Sequence, residues 1–238
     1  SIEDIDATPT GYLTTVLDNQ GNQTATLVAS GSNRKYVTIN EIPINLQHAF
    51  VAIEDERFYD HNGIDLQGIL RAGLKGVASG FHFSEGASTI TQQLLKNTVF
   101  TQWTSEQSMA DKFERKFQEQ YLALQLEKVV DKDWILENYL NAINLGQNTL
   151  GVGVASERYF GKDVSDLTLS ECAVLAAITQ SPSYYNPITH PDHNKERRQK
   201  VLNNMLDQGY ISHTEYDEAV ADNVYDRIQV VNVESQDE

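Results

Sequence analysis

From Pro43 onward the apolar residues recur every three or four positions, and that period restricts most of the chain to helices. Leu46, Ala49, Phe50 and Ile53 share one stripe, while Leu66, Ile69, Leu70, Leu74 and Val77 share another behind Asp65, a helix-capping residue type. Gly80 is expected to break that second helix. Met109, Phe113, Phe117 and Tyr121 keep regular spacing through a long helix expected over residues 108–129, and another is expected over 134–145, closed by Gly146. Thr168 with Glu171 and Ser212 with Glu215 form capping boxes that mark later helix starts. Strand-type alternation is confined to residues 11–42, with a turn at Asp18–Asn22. The chain is therefore expected to be predominantly α, with residues 1–42 as an N-terminal β segment and linker. Residues 43–225 should form the main domain, and 226–238 a partly disordered C-terminal linker ending in "ESQDE".

Composition closes off several classes of function. Eighteen basic residues against thirty-four acidic ones give a net charge of -16, which argues against a nucleic-acid partner. A single cysteine, Cys172, lies in the apolar run "ECAVLAAI", so no intrachain disulfide forms and a reactive thiol is not expected. No apolar stretch reaches the roughly 18 to 20 residues of a spanning helix. The N-terminus lacks the pattern of a signal peptide. "SNRK", Ser32 to Lys35, fits S-x-x-K without the S-D-N or K-T-G that would give it meaning, and there is no H-E-x-x-H, Walker or EF-hand loop. His48 reads as a packed or surface histidine.

Three polar clusters carry chemistry. "VAIEDERFYDHNG" places Glu54, Asp55, Glu56, Asp60 and His61 at the end of an apolar helix. There the helix dipole and two adjacent carboxylates disfavour charge on Glu54 and should raise its pKa toward that of a useful base; a solvated acidic run is the alternative. In "GASTITQQLLKN", a helix entered at about Ser88 puts Thr89, Gln93, Lys96 and Asn97 on one face, near free N–H groups suited to an anion. A capped surface helix is the plainer reading. Arg115, Lys116 and Glu119 set two cations beside a carboxylate, a pattern that is otherwise a surface ion pair.

"EDERFYDHNGID", "GASTITQQLLKN", "RKFQEQYLALQLEK", "ILENYLNAINLG" with "GVGVASERYFGK", and "LTLSECAVLAAITQSPSYYNP" stand in the order of the five motifs of family 51 peptidoglycan glycosyltransferases. The resemblance runs from about Lys35 to Ala219, and the ending resembles the glycosyltransferase part of bifunctional class A penicillin-binding proteins. It implies a lysozyme-like fold of two lobes, the smaller facing a membrane, with a cleft between them. The implied reaction polymerises lipid II onto a growing glycan chain, inverting MurNAc C1 as undecaprenyl pyrophosphate leaves. By the same match Glu54 is the general base, and Lys96, Arg115 and Lys116 hold the pyrophosphate. Ser88, Thr89, Gln93 and Asn97 would position substrate, Asp55, Phe58 and His61 would shape the cleft, and Glu119 would organise the donor site or a metal.

A divalent cation, Mg2+ or Mn2+, is compatible with the pyrophosphate but has no evident ligand cage, and sensitivity to moenomycin is implied. Residues 96–115 run longer than in compact family members and add only Lys112 as a further cation. In such proteins a transmembrane helix precedes this region and a transpeptidase follows it, so the chain reads as an excised domain from the extracytoplasmic face of a bacterial membrane. Residues 64–83, with Leu70, Leu74, Phe81 and Phe83 on an apolar side and Arg71 and Lys75 near headgroups, are the segment expected to meet the bilayer; packing into the core is the alternative. A lysozyme-like hydrolase and a non-catalytic glycan-binding module are the competing functions.

Overall fold

The computed structural model describes the strand residues 14–17 and 23–27 and residues 35–78, 86–98 and 108–230. The turn at Asp18–Asn22, Gly80, Phe81, Phe83, Ser32–Arg34 and the "ESQDE" tail lie outside them. The predominantly α expectation holds. Two short antiparallel strands, β1 (Thr14–Leu17) and β2 (Gln23–Leu27), pair Thr14 with Leu27 and shift register between Val16 and Leu17. Nine α-helices follow among the described residues: α1 (Ile44–Glu54), α2 (Leu66–Ala78), α3 (Ile90–Thr98), α4 (Met109–Val129), α5 (Lys132–Ala142), α6 (Val152–Phe160), α7 (Leu169–Ala176), α8 (Pro191–Asp207) and α9 (His213–Ala221). No helix among these residues is long and apolar enough to cross a membrane. The described residues divide into two compact units, the first lying within 54–139, the second within 14–53 and 140–230.

In the second unit, α7 is buried from Ser170 to Ala176, mostly through apolar side chains, and it packs against α6, α8 and α9. Phe50, Leu145, Tyr159, Leu175, Val201 and Met205 are buried in this unit's core. Cys172 sits within α7, where burial pushes its thiol pKa far above the ordinary value and leaves it inert. Both capping boxes form. Glu171 serves twice, since its Thr168 cap leaves a fully buried carboxylate that Lys162 (2.8 Å) and Arg227 (3.2 Å) neutralise. His48 stacks on Tyr210 at 4.1 Å, a packed histidine whose pKa burial lowers.

Two boundaries differ from expectation. α5 starts at Lys132, where Asp131 Oδ1 accepts the Trp134 N–H at 2.8 Å, and stops at Ala142. The chain then turns extended: the Gly151 N–H donates to Ile143 O at 2.8 Å, and the Leu145 N–H donates to Thr149 O at 3.0 Å. A hairpin with Asn144 bridged to Leu150 thus takes the place of the last helical turn. The expected C-terminal linker is docked as far as Gln229, whose N–H donates to Tyr159 O (2.9 Å) while its carbonyl accepts from Arg158 Nη1 (2.8 Å).

In the first unit, Asp65 caps α2 by accepting the Gly68 N–H at 3.1 Å. The apolar stripe of α2 faces solvent, with Leu70 66% and Leu74 65% exposed, which overturns the alternative that it packs into the core. α3 begins at Ile90, two residues after Ser88, and packs against α4. On α4 the residues turned inward are Glu119, Ala123 and Leu126, so the regularly spaced apolar stripe lies outside: Phe113 is 62% and Phe117 70% exposed.

Candidate active site

The clustered polar residues of the first unit assemble around the junction that follows α1. Asp55, the residue after α1, is buried, and its Oδ2 accepts the Ile90 N–H at 2.9 Å and meets His61 Nε2 at 2.7 Å. One carboxylate oxygen therefore ties the end of α1 to the first turn of α3, where the helix dipole favours negative charge. His61 Nδ1 accepts the Gly63 N–H at 3.0 Å, which assigns the Nε2 proton to Asp55.

Behind the imidazole, Glu127 Oε2 lies 3.6 Å from Nδ1, and Lys132 pairs with Glu127 while donating to His61 O at 2.7 Å. Burial lowers the His61 pKa, but the hydrogen bond to Asp55, then Glu127 and the charge of Asp55, outweigh it and raise the group to about 8, against a smaller opposing effect of Lys132. On protonation Nδ1 gains a proton that Glu127 can take, in exchange for the Gly63 N–H.

Phe58 is fully buried, edge-on to His61 and 4.5 Å beneath Lys132 Nζ. It is core support, a correction to its expected place on a cleft wall. The two carboxylates that follow Glu54 are both neutralised, Asp55 by His61 and Glu56 by Arg57 and by Arg71 (3.1 Å), so the repulsion expected of them is largely compensated. Arg57 in turn grips Asp65 (2.6 Å to Oδ2), whose pKa the guanidinium holds below the usual carboxylate range.

Glu54 itself is half-buried, with Oε2 3.5 Å from Gln93 Nε2 on α3, and Gln93 Oε1 accepts from Tyr139 Oη at 3.2 Å. Thr89 has a different place from the one expected. It is buried at the start of α3, where its Oγ1 accepts the Gln92 N–H (3.1 Å) and donates to Gly63 O (2.7 Å), while Gln92 Oε1 accepts the Thr89 N–H (3.1 Å). This is a capping box with glutamine at its fourth position, so the hydroxyl is committed to the fold and does not face substrate. Gly63 has φ +121°, and a Cβ there would meet the Ala123 carbonyl at 2.6 Å, so only glycine lets this turn touch α4.

Gln92 continues inward, donating from Nε2 to Glu119 Oε1 at 3.2 Å. The buried Glu119 is neutralised by Lys116 Nζ at 3.0 Å, which also donates to Ser88 Oγ at 2.5 Å. Glu119, Lys116, Ser88, Gln92 and Thr89 thus form one connected group between α3 and α4. Lys96 and Asn97 are exposed on the last turns of α3, and Arg115 is partly exposed beside Lys116. Among the described residues no three His, Cys, Asp or Glu side chains converge as a metal ion requires, and Glu119 is paired with a lysine. Sequence reasoning missed Gln92, Tyr139, Glu127 and Lys132. The T-x-x-Q spacing could have revealed the first; the others are brought in by tertiary packing alone.

The transglycosylase family profile matches residues 20–206. Penicillin-binding protein 1F of Bacillus subtilis (strain 168) is 48% identical over 198 residues, covering 83% of this chain and 26% of that protein. Penicillin-binding protein 1A of Clostridium perfringens (strain 13 / Type A) is 45% identical over 85% of the chain and 30% of its own length, and penicillin-binding protein 1A of Escherichia coli (strain K12) is 46% identical over 76% and 20%. The chain therefore spans under a third of the length of these relatives. A crystal structure of penicillin-binding protein 1A from Haemophilus influenzae aligns over 92% of the chain and 21% of that chain, with 24% identity and a TM-score of 0.49. The profile match and these identities establish that the chain belongs to the transglycosylase family of peptidoglycan glycosyltransferases.

Proposed function

We propose that the chain polymerises lipid II, with Glu54 as the general base. The observation that carries this reading is the contrast between two adjacent carboxylates: Asp55 is buried and consumed by the Ile90 N–H and His61, while Glu54 stays half-buried and is held by Gln93. A base must reach the proton it abstracts, and Glu54 is placed for that while Asp55 is a positioning residue. In the proposed step Glu54 takes the proton of the acceptor GlcNAc 4-hydroxyl as its oxygen bonds to MurNAc C1. The bond from C1 to the pyrophosphate oxygen breaks, and the electron pair leaves with the lipid pyrophosphate, inverting C1.

Lys116 is the cation best prepared for that developing charge. Its ammonium is fixed by Glu119 and Ser88 before substrate arrives, so little reorganisation is needed when the bond breaks. Arg115 and Lys96, both accessible, add positive charge on the same two helices. In this reading Glu119 organises the donor site through Lys116, and no step runs through a metal ion.

A lipid-anchored substrate requires the domain to work at a bilayer, and the outward stripes of α2 and α4 supply apolar surface for it. An anchoring helix and a transpeptidase elsewhere in the full protein, on the extracytoplasmic side, fit a chain spanning 26% of the penicillin-binding protein it matches at 48% identity. Incubation of wild type and Glu54→Gln with lipid II tests the assignment. Long glycan from the wild type alone supports it, while cleavage of preformed glycan favours the hydrolase.

A further inference from the structure

The second unit carries a pocket that the proposed chemistry does not use. It has a volume of about 270 Å3 and is lined by Asn144, Gln147, Leu150, Pro182, Ser183 and Asn186, with no charged side chain. Four of the lining side chains are amides, Asn148 among them, and the structure fixes which way round Asn144, Gln147 and Asn186 stand. Asn144 Oδ1 accepts the Gly146 N–H at 2.9 Å, Gln147 Oε1 accepts from Arg158 Nη2 at 3.3 Å, and Asn186 Oδ1 accepts the N–H groups of Ile188 (2.9 Å) and Thr189 (3.3 Å). Every one of these partners can only donate, so each amide oxygen is committed to the protein and each NH2 group is the end left over. Among the described residues no protein acceptor takes those NH2 groups. Asn186 Nδ2 faces the turn across the pocket, 3.7 Å from where a Cβ on Gly146 would stand.

The backbone is bent to make this arrangement. Gly146 O accepts from both the Thr149 N–H (2.8 Å) and Thr149 Oγ1 (2.6 Å), closing a turn whose two central residues, Gln147 (φ 50°) and Asn148 (φ 58°), are both left-handed. Asparagine tolerates that conformation, but glutamine does so at a cost that its contact with Arg158 and the turn around it must offset. The Gly146 carbonyl is spent within the turn, so the pocket offers NH2 donors and the Ser183 hydroxyl beside the apolar surfaces of Leu150 and Pro182.

We infer that this pocket is a subsite for an N-acetylated amino sugar, recognised through its acetamido carbonyl and hydroxyl oxygens, with the acetyl methyl against Leu150 and Pro182. A peptide carries the same amide group without the ring hydroxyls, so it would use fewer of the NH2 donors and the Ser183 hydroxyl. A carboxylate or phosphate fits less well because the lining carries no cation. The inference rests on the reading of the chain as an enzyme acting on glycan.

The test uses chitotetraose as the probe and the whole chain as the protein. In 15N-labelled wild type, titration should shift the side-chain NH2 resonances of Asn144, Gln147 and Asn186. Asn186→Asp and Gln147→Glu keep the oxygens that hold the backbone N–H groups and Arg158 but replace the NH2 donor with an oxygen, so both should fold. Each should weaken chitotetraose binding about tenfold, the effect of one lost hydrogen bond with repulsion added. Absence of NH2 shifts at millimolar chitotetraose, unchanged affinity in both variants, or equal binding of an uncharged acetylated peptide overturns the inference. The NH2 shifts report the pocket and the polymerisation rate of Glu54→Gln reports the base, so a failed base assignment and a failed subsite give different results.

Discussion

Asp55 Oδ2 receives both the Ile90 N–H and His61 Nε2, at 2.9 and 2.7 Å, so a single buried oxygen fixes the distance between the residue after Glu54 and the helix that carries Gln93. Asp55→Asn can keep an amide oxygen on both partners, but it removes the buried negative charge that neutralises the His61 imidazolium. The expected cost is about 3 kcal/mol of stability, that of a broken buried pair. Thermal or urea unfolding measures it, and a loss under about 0.5 kcal/mol, the range of an ordinary surface substitution, would refute the anchoring role.

Glu54→Gln should fold with the melting temperature of the wild type and lose at least ~100-fold in polymerisation rate, the scale of general base catalysis. Gel analysis of labelled lipid II products gives the rate. Turnover near that of the wild type would remove Glu54 as the base.

Lys116→Ala acts twice, because it removes the proposed phosphate ligand and leaves the buried Glu119 carboxylate without its cation. Affinity for moenomycin or a pyrophosphate donor should fall at least tenfold, and stability should fall by about 1–3 kcal/mol. The double variant Lys116→Ala, Glu119→Gln should regain most of the stability and none of the affinity. Recovery of both together would make the pair purely structural.

Stability should also depend on pH through His61. Its folded pKa of about 8 lies above the ordinary 6.5, so its contribution is complete below pH 6.5 and is lost as pH rises through 8. The swing for a shift of this size is about 2 kcal/mol. Chemical unfolding from pH 6 to 9 should show the decline in the wild type, and His61→Gln should flatten it. Parallel profiles would mean that His61 does not titrate in that window.

Replacing Leu70 and Leu74 on α2, or Phe113 and Phe117 on α4, by serine should reduce liposome association several-fold with little change in unfolding, since these side chains are already in solvent. Binding should depend weakly on salt, given the net charge of -16. Loss of folding, or association equal to that of the parent, would assign these stripes another role.

What the sequence made legible was local. Helical periodicity, the Asp65 cap and both capping boxes follow from interactions within a few residues, and the structure has them. α5 ended early because Ile143 and Leu145 exchange backbone bonds with Gly151 and Thr149, partners that period counting does not weigh. At the site, the sequence marked polar side chains that the structure brings into contact, Glu54 with Gln93 and Lys116 with Glu119, but orientation was not available. Periodicity reports that an apolar stripe exists without saying whether protein or solvent meets it, which is why α2 stayed ambiguous and the outward face of α4 went unread. Thr89 and Phe58 look like site residues by position, yet packing turns both inward. Glu127 and Lys132 lie 66 and 71 positions from His61, and nothing local in the sequence ties them to it.

Gly63 works as a spacing gauge. With no side chain, its turn rests directly on the Ala123 carbonyl, and its own carbonyl holds Thr89. Any added carbon must push α4 and the start of α3 apart, and those two helices carry Lys116 and Gln93. In a library of random substitutions, position 63 should therefore score as intolerant as Glu54 itself, although it has no side chain to take part in any chemical step. Alanine there would be expected to yield folded, misaligned protein, a lesion that a screen for solubility would pass and a screen for glycan synthesis would reject.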